Sequence, residues 1–310
     1  MNISVVIPLF NKKDTIINTL QSVFNQELLP AEIVVVNDGS TDGSALLVEQ
    51  LHHPLITLLH QENAGVSAAR NNGIFAAKHE WIAFLDADDL WMTNYLKEMN
   101  RLSLSFSNCS ILASAYYLQN FNGNKSPIVL NKMLFNQDGI LTNYFQVASN
   151  SNPPLCSSSL IIRKKSLLEI NGFPFGIKSG EDLLTWARLA VTNEIAYTTK
   201  YLAIFVQDPA HTYDAIPNRV PEPYDTVTFE LLNLAKQYPE NKQIIQYVSF
   251  WKKMRASSYL RLGHKKHALQ EALYGIRYNF LNTALYAYVA MLVLPTAWIN
   301  YIFKLRSKSK

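Results

Sequence analysis

Three aspartates, Asp86, Asp88 and Asp89, follow an apolar run in the first third of the chain. The run at residues 81–85 has the pattern of a short strand buried on both faces, which is typical of a parallel sheet packed between helices. Carboxylates this close repel one another unless a cation lies between them, and such sites suit Mg²⁺ or Mn²⁺ with phosphate oxygens completing the shell. A solvated acidic turn that caps the next helix is the alternative, because Asp is a common N-cap. The cluster alone leaves both interpretations open.

Strand and helix patterns alternate throughout the first hundred residues, which places the acidic cluster after the fourth strand. The earlier strand patterns cover residues 3–7, 32–36 and 55–59. This alternation predicts an α/β domain with a parallel sheet wound in the Rossmann manner. Ligands of such sheets bind outside the carboxyl ends of the strands. No GxGxxG follows the first strand, so the dinucleotide fingerprint is missing.

The pattern weakens between residues 120 and 152, where no element can be placed. It returns as strands predicted at 157–162 and near 195–206. Between them, Glu181 and Asp182 follow a glycine at the start of a predicted helix, where the helix dipole favours acids. These elements predict one domain over residues 1–210.

Composition limits the possible classes of protein. With 48% hydrophobic and 17% charged residues the chain is globular, and its low charged fraction indicates apolar surface that is hidden or faces a membrane. A net charge of +4 without a basic stripe argues against a nucleic-acid partner. Cys109 and Cys156 lie in no metal-ligand pattern and are expected to be reduced thiols. No signal peptide pattern opens the chain, so we expect a cytoplasmic location.

The C-terminal region, residues 211–310, has helix patterns without strands. Residues 256–275 resemble a single tetratricopeptide-type hairpin, but one copy cannot bury a core, so an ordinary helical hairpin is the better interpretation. Residues 278–303 contain no charged side chain and precede a basic tail. This segment predicts a helix lying in or on the cytoplasmic leaflet. A single C-terminal span and a buried soluble helix pair are the alternatives.

Five short motifs, in this order, resemble those of inverting family 2 glycosyltransferases. They are VVIPLFN at 5–11, VVNDGSTD at 35–42, GVSAARN at 65–71, FLDADD at 84–89 and GED at 180–182. The resemblance covers about the first 205 residues, and five ordered motifs are a specific signal. It implies a GT-A fold, in which a Rossmann-like mixed sheet lies between helices. Residues 1–105 would form the nucleotide-sugar-binding half and 106–210 the acceptor half, followed by the helical, partly membrane-associated extension.

The resemblance implies roles for individual residues in binding a sugar donor, with UDP as the expected nucleotide and Mn²⁺ or Mg²⁺ as cofactor. Asp88 would ligate the metal, and Asp86 would contact the ribose or share the metal. Asp38 would accept a hydrogen bond from the base. Asp89 would be a second metal contact or, as we favour, a helix cap. Further donor contacts would come from Pro8, Asn11, Arg70 and Asn71. Without the resemblance, Asp38 would be interpreted as a turn residue and Arg70 as part of a surface ion pair.

The resemblance also assigns the catalytic base. Asp182 would take the proton from an acceptor hydroxyl that attacks the anomeric carbon opposite the diphosphate, and Glu181 would orient it or the acceptor. One position departs from the family pattern. Many relatives carry a Tyr-His or Tyr-Arg pair at the end of the strand after this helix, where the chain has Val206 in place of His or Arg. A contact to the metal or diphosphate is therefore missing there, and His211 could replace it only if the loop folds back.

The expected function is metal-assisted transfer of a sugar, with inversion, to a glycan or lipid-linked acceptor at the inner face of the plasma membrane. The acceptor would be a precursor of lipopolysaccharide or another surface polysaccharide. A haloacid-dehalogenase-like phosphatase is one alternative, because its domain also has a strand ending in DxD; Leu90 and the late position of the motif argue against it. A non-catalytic sugar-nucleotide-binding subunit of a polysaccharide assembly complex is another, and the presence of Asp88 and Asp182 argues against that.

Overall fold

The computed structural model describes residues 1–208 and 215–308. The chain divides into two compact units, Met1–Val206 and Gln207–Lys310, and each is described by itself. All five motifs lie in the first unit. The described part of the second unit is helical.

A mixed sheet forms the centre of the first unit. Its strands are β1 (Ile3–Leu9), β2 (Glu32–Asp38), β3 (Ile56–Gln61), β4 (Trp81–Phe84), β5 (Leu90–Trp91), β6 (Ile111–Gln119), β7 (Lys125–Pro127), β8 (Asp138–Ile140), β9 (Leu160–Arg163) and β10 (Ile195–Val206). Their order is β3-β2-β1-β4-β9-β6-β10-β5, with β7 beside β6 and β8 beside β10. β1 to β4 pair in parallel, whereas β9 runs antiparallel to both of its neighbours. The expectation of a mixed sheet is confirmed.

Helices alternate with these strands. They are α1 (Ile16–Phe24), α2 (Ser44–Gln50), α3 (Val66–Ala76), α4 (Tyr95–Ser105), α5 (Tyr144–Asn150), α6 (Lys164–Glu169) and α7 (Glu181–Thr192). β1 and β2 are buried along almost their whole length, which explains their near-continuous apolar sequence. Ile16, Leu20 and Val23 of α1 join them in the main hydrophobic core. Burial on both faces thus fixes the strands whose ends carry the motifs.

The carboxyl ends of β1, β2 and β4 meet at one edge of the sheet because these strands are parallel neighbours. The loops that follow them cover residues 10–15, 39–43 and 85–89. The first and third of these loops are joined where the Thr15 hydroxyl donates to the carbonyl oxygen of Ala87 at 2.9 Å. The sheet therefore brings three motif loops from distant parts of the sequence together.

Two parts of the first unit differ from the sequence-based expectation. Residues 120–152, which gave no pattern, contain β7, β8 and α5. The strand expected at 157–162 begins only at Leu160, because Ser157–Ser159 form a 3-10 helix. Three consecutive serines can pair their hydroxyls with nearby backbone groups, which competes with strand pairing.

The second unit consists, in its described residues, of α8 (Thr226–Gln237), α9 (Gln243–Arg261), α10 (Lys265–Tyr278), α11 (Thr283–Met291) and α12 (Thr296–Lys308). The predicted hairpin at 256–275 corresponds to the end of α9 and most of α10. Leu285 and Tyr288 of α11 and Ile299 of α12 are buried in a small core with residues of α9 and α10.

The uncharged segment 278–303 therefore folds as two helices interrupted near Pro295. Among the described residues, we find no helix with both the length and the hydropathy needed to cross a membrane. Other apolar side chains of this segment remain at the surface, including Trp298 and Tyr301, which are 65% and 61% exposed.

Candidate active site

The motif loops enclose a cavity of about 470 Å³ at the carboxyl edge of the sheet. Its lining includes residues from the ends of β1 and β2, the loop after β4, α3 and the start of α7. Six predicted site residues are among them: Pro8, Asp38, Arg70, Asp86, Asp88 and Glu181. The structure thus brings together residues that lie more than 170 positions apart in the sequence.

Arg70 links the loop of residues 85–89, called the acidic loop below, to α7. Its Nη2 donates to both carboxylate oxygens of Asp86, at 2.7 and 3.0 Å, and its Nη1 lies 3.9 Å from Oε1 of Glu181. The side chain is only 5% exposed, so it is not the surface ion pair of the simpler interpretation. Burial lowers the pKa of Arg70, but the charge of Asp86 and then that of Glu181 raise it overall. Its buried Nε and Nη1 make no hydrogen bond to any described residue and can donate to an anionic ligand.

Asp88 pairs with Lys12, a residue that the sequence motifs do not include. The Nζ of Lys12 lies 2.5 Å from Oδ2 of Asp88, and the two side chains are 39% and 27% exposed. Both residues line the cavity. A lysine directly after the first motif was the available sequence signal for this contact.

Asp89 is not the expected helix cap, because α4 begins at Tyr95 and its N-cap is Asn94. Its buried carboxylate accepts from the Ser158 hydroxyl at 2.5 Å and from the backbone N–H of Val206 at 2.9 Å. Burial and then the charge of Asp86 raise the pKa of Asp89 well above its ordinary value. Asp89 therefore joins the acidic loop to the end of β10, and the interpretation of it as a cap is wrong.

The Ser158 hydroxyl oxygen also accepts a hydrogen bond from the backbone N–H of Asp86 at 3.1 Å. One hydroxyl therefore bonds to both Asp86 and Asp89 of the acidic loop. This contact depends on the 3-10 helix, which the sequence pattern did not predict. At position 206 the backbone N–H is committed to Asp89. The suggested substitute for the missing side chain there, His211, lies outside the described residues.

Asp38 is more than a turn residue. Its Oδ1 accepts from the side-chain amide of Gln61 at 2.7 Å and from the backbone N–H of Ala64 at 2.8 Å, and its Oδ2 accepts from Gly65 at 2.9 Å. Gly65 precedes α3 with a φ of 89°, a conformation that favours glycine. Since a carboxylate oxygen can accept two hydrogen bonds, Oδ2 retains one position for a ligand donor. Gln61 lies outside the motifs, and its place at the end of β3 was its only sequence signal.

Pro8 lines the cavity, but Asn11 does not. Asn11 has a φ of 50°, which Asn tolerates better than most residues. Its side-chain carbonyl accepts from the N–H of Thr41 at 2.8 Å, and its own N–H donates to Ser40 at 3.1 Å. The structure gives Asn11 a bracing contact between the loops after β1 and β2, and its expected contact with base or ribose stays a prediction.

Asn71 likewise does not line the cavity. It is buried, and its amide nitrogen donates to the carbonyl of Phe173 at 2.9 Å while its oxygen accepts from the Phe173 N–H at 2.8 Å. The ring of Phe173 lies 5.0 Å from the Arg70 guanidinium. Asn71 thus has a structural contact, in which it fixes the residue against which Arg70 packs, and its expected nucleotide contact stays a prediction.

Glu181 and Asp182 occupy the first turn of α7 and both have raised pKa values. Burial and then the charge of Asp182 raise the pKa of Glu181 to about 7, although Arg70 opposes the shift. Burial is also the main cause for Asp182, opposed by the N–H of Leu183 and by the charge of Arg70. Glu181 lines the cavity, whereas Asp182 does not. Both carboxylates are stronger proton acceptors than an ordinary surface acid.

The acidic loop fits a divalent cation that takes part of its shell from a ligand. Mg²⁺ is commonly held by one or two carboxylates together with substrate phosphates and water. Asp89 is buried, whereas the side chains of Asp86 and Asp88 are 25% and 27% exposed. Both oxygens of Asp86 are bonded to the buried Arg70, and Asp88 is paired with the partly exposed Lys12. In the parts of the chain that the structure describes, no group of three or more His, Cys, Asp and Glu residues could hold an ion by itself. An ion at Asp88 would need phosphate oxygens and water.

A family model described as "Glycosyl transferase family 2" matches residues 4–170. An uncharacterized glycosyltransferase of Rickettsia bellii is 30% identical over 242 residues, which are 75% of this chain and 33% of that protein. The glycosyltransferase GlyA of Streptococcus pneumoniae is 28% identical over 211 residues, 64% of this chain and 30% of that one. The succinoglycan biosynthesis protein ExoO of Rhizobium meliloti is 37% identical over 99 residues, 32% and 28% of the two chains. The chain spans about a third of the length of these curated relatives.

Among solved structures, residues 1–349 of S. aureus TarS in complex with UDP-GlcNAc give a TM-score of 0.70 at 18% identity, covering 100% of this chain and 92% of that one. The same TarS fragment in complex with UDP gives 0.65 at 19% identity, covering 99% and 88%. At this level of identity the likeness shows a shared fold.

Proposed function

We propose that this chain, which belongs to glycosyl transferase family 2 and has the GT-A fold, is a glycosyltransferase, and we propose its donor, acceptor and mechanism. The donor is a UDP-sugar. The acceptor is a membrane-proximal glycan or lipid-linked precursor of a surface polysaccharide, and transfer proceeds with inversion. Family membership decides against the haloacid-dehalogenase-like alternative.

The observation that carries the proposal is the convergence of Asp38, Arg70, Asp86, Asp88 and Glu181 on one cavity. Asp38 can accept from a base N–H through its remaining position, and Arg70 has buried donors left for an anion. Arg70 does not need to reorganise when a charged ligand arrives, because Asp86 already fixes its guanidinium. The bound UDP-GlcNAc of the TarS structure supports a UDP-sugar as the donor.

Asp182 is the proposed general base, and Glu181 is proposed to orient it or the acceptor. An inverting attack comes from the side opposite the leaving diphosphate, so the base does not need to line the donor cavity. The raised pKa of Asp182 supports this role, since the carboxylate gains basicity from its burial. A divalent cation bound at Asp88 would supply positive charge to the leaving diphosphate.

We propose that the enzyme works at the cytoplasmic face of the membrane, and the exposed side chains of α12 support this. Trp298 and Tyr301 project from this helix with Lys304, and all three are exposed. Aromatic and basic side chains on the exposed side of one helix suit an interface with anionic headgroups. The name of ExoO, a succinoglycan biosynthesis protein, supports a polysaccharide precursor as the acceptor.

The test is donor turnover by the purified protein. Incubation with a panel of nucleotide sugars and Mn²⁺ should release nucleotide from at least one UDP-sugar when membrane extract supplies the acceptor. Asp182→Asn should lower the rate by about 10²- to 10⁴-fold while UDP binding is retained. Glu194→Gln, which changes an exposed acid beyond the end of α7, is the matched control. If donor binds but Asp182→Asn transfers sugar at the normal rate, the proposed base is wrong. If no nucleotide sugar binds, the donor proposal fails.

A further inference from the structure

Lys12 extends a cationic side chain into the cavity at the carboxyl edge of the sheet, and hydrogen bonds anchor the backbone on either side of it. On one side of it, Asn11 is tied to the loop after β2. On the other, the N–H of Lys13 donates to Asp42 at 2.8 Å, and Thr15 donates to Ala87. The lysine side chain itself is 39% exposed, so it can change its partner without movement of the loop.

The charges around the cavity make this lysine significant. The ionisable residues that line it are Asp38, Asp86, Asp88, Glu181, Lys12 and Arg70. Acids outnumber bases, although the proposed donor brings a negatively charged diphosphate. Arg70 is shared between Asp86 and Glu181, so much of its charge is already balanced. Lys12 is the other described cation on the cavity wall.

The end of β10 does not contribute a further cation. This strand ends at Val206, whose side chain is uncharged and whose backbone N–H is bonded to Asp89. Among the described residues that line the cavity, positive charge for the diphosphate can come from Arg70 and Lys12. Lys12 enters the cavity from the loop after β1.

The Lys12–Asp88 pair is suited to opening. Both side chains are partly exposed, and ion pairs of this kind contribute little net stability because solvent competes for each partner. Asp86 is about equally exposed, but its partner Arg70 is buried, whereas the partner of Asp88 is a partly exposed lysine that a divalent cation can displace. Such a cation and the lysine ammonium would compete for the same oxygen.

We propose that Lys12 exchanges partners during donor binding. In the empty cavity it neutralises Asp88, and when a divalent cation takes Asp88 it moves to the donor diphosphate. It then supplies the positive charge that position 206 lacks. This inference rests on the proposed nucleotide-sugar donor. Its consequence is that Lys12 opposes metal binding in the empty enzyme and favours nucleotide binding in the loaded one.

The first arm of the test measures Mn²⁺ alone. Free Mn²⁺ is followed by electron paramagnetic resonance during titration of the 310-residue chain. Lys12→Met should bind Mn²⁺ about two- to fivefold more tightly than the wild type, because the competing ammonium is gone. Lys13→Met removes a neighbouring lysine and should match the wild type. Asp88→Asn should abolish the gain when combined with Lys12→Met.

The second arm measures binding of UDP and of uridine by calorimetry with Mn²⁺ present. Lys12→Met should weaken UDP binding about tenfold or more, since a charge-assisted contact to the diphosphate is lost. Uridine, which has no phosphate, should bind equally well to both proteins. Lys12→Arg should restore most of the UDP affinity. A purely structural role for Lys12 would not produce opposite effects on Mn²⁺ and UDP.

Two results would overturn the exchange. One is a Lys12→Met protein that binds UDP as tightly as the wild type while the wild type binds UDP well. The other is an unchanged or weaker Mn²⁺ affinity in the empty variant. A wild-type protein that binds no nucleoside diphosphate from a panel would overturn the donor proposal itself, and the exchange with it.

Discussion

Replacing Asn71 by alanine should destabilise the first unit rather than only weaken ligand binding. Two hydrogen bonds join its side chain to the backbone of Phe173, at 2.9 and 2.8 Å, and both partners are buried. Removing them leaves the N–H and the carbonyl of Phe173 unpaired in the interior, and each orphaned group costs about 1–3 kcal/mol. We therefore expect the free energy of unfolding to fall by about 2–6 kcal/mol. For a central loss of about 4 kcal/mol in a unit of this size, the melting temperature should fall by roughly 8–16 °C.

Thermal unfolding followed by circular dichroism provides the measurement, and the chain offers a matched control. Asn72 is exposed, and its amide bonds to Gln61 at the surface, so Asn72→Ala should change the free energy of unfolding by only about 0.5 kcal/mol. Asn71→Asp is a second probe, because it retains the acceptor for the Phe173 N–H but places an oxygen against the Phe173 carbonyl. It should therefore also be destabilised. The reasoning is refuted if Asn71→Ala has the same melting temperature as Asn72→Ala yet loses UDP binding. That result would identify Asn71 as a ligand contact.

Two further predictions concern α7 and α12. The pKa of Glu181 is raised from 4.5 to about 7, so the unfolded chain ionises this acid first and the folded state loses stability as the pH rises through that interval. Relative to Glu181→Gln, the wild type should lose up to about 3 kcal/mol of unfolding free energy between pH 4.5 and 8. Urea unfolding across this range measures the difference, and parallel profiles for the two proteins would contradict the raised pKa. Replacing Trp298 and Tyr301 by serine should reduce co-sedimentation with anionic phosphatidylserine vesicles without altering the melting temperature, because both side chains are exposed. Equal sedimentation of the two proteins would count against the membrane proposal.

The sequence predicts the part of the fold that is buried on both faces. β1, β2 and β4 are continuous apolar runs, and polar residues mark the point where each run ends. Parallel pairing then brings those ends together, which is why the sequence alone assigns Asp38 and the acidic loop to one site.

What the sequence could not predict are the contacts between side chains on distant elements. Asn11 and Asn71 belong to motifs at the site, but each is turned toward backbone groups that only the folded chain supplies. The sequence does not predict the 3-10 helix of residues 157–159 for the same reason, because its Ser158 bonds to polar groups of the acidic loop that only the folded chain brings near. Strand periodicity carries no information about such partners.

The acidic loop shows how this limit bears on function. Three aspartates within four residues look equivalent in the sequence, yet each has a different partner in the structure. Asp86 is fixed by a buried arginine, and Asp89 is fixed by a hydroxyl and a backbone N–H in the interior. Asp88 alone among the three has a flexible and partly exposed partner in Lys12. Because two of the acids are held rigidly, the third can exchange one cation for another while the loop keeps its shape.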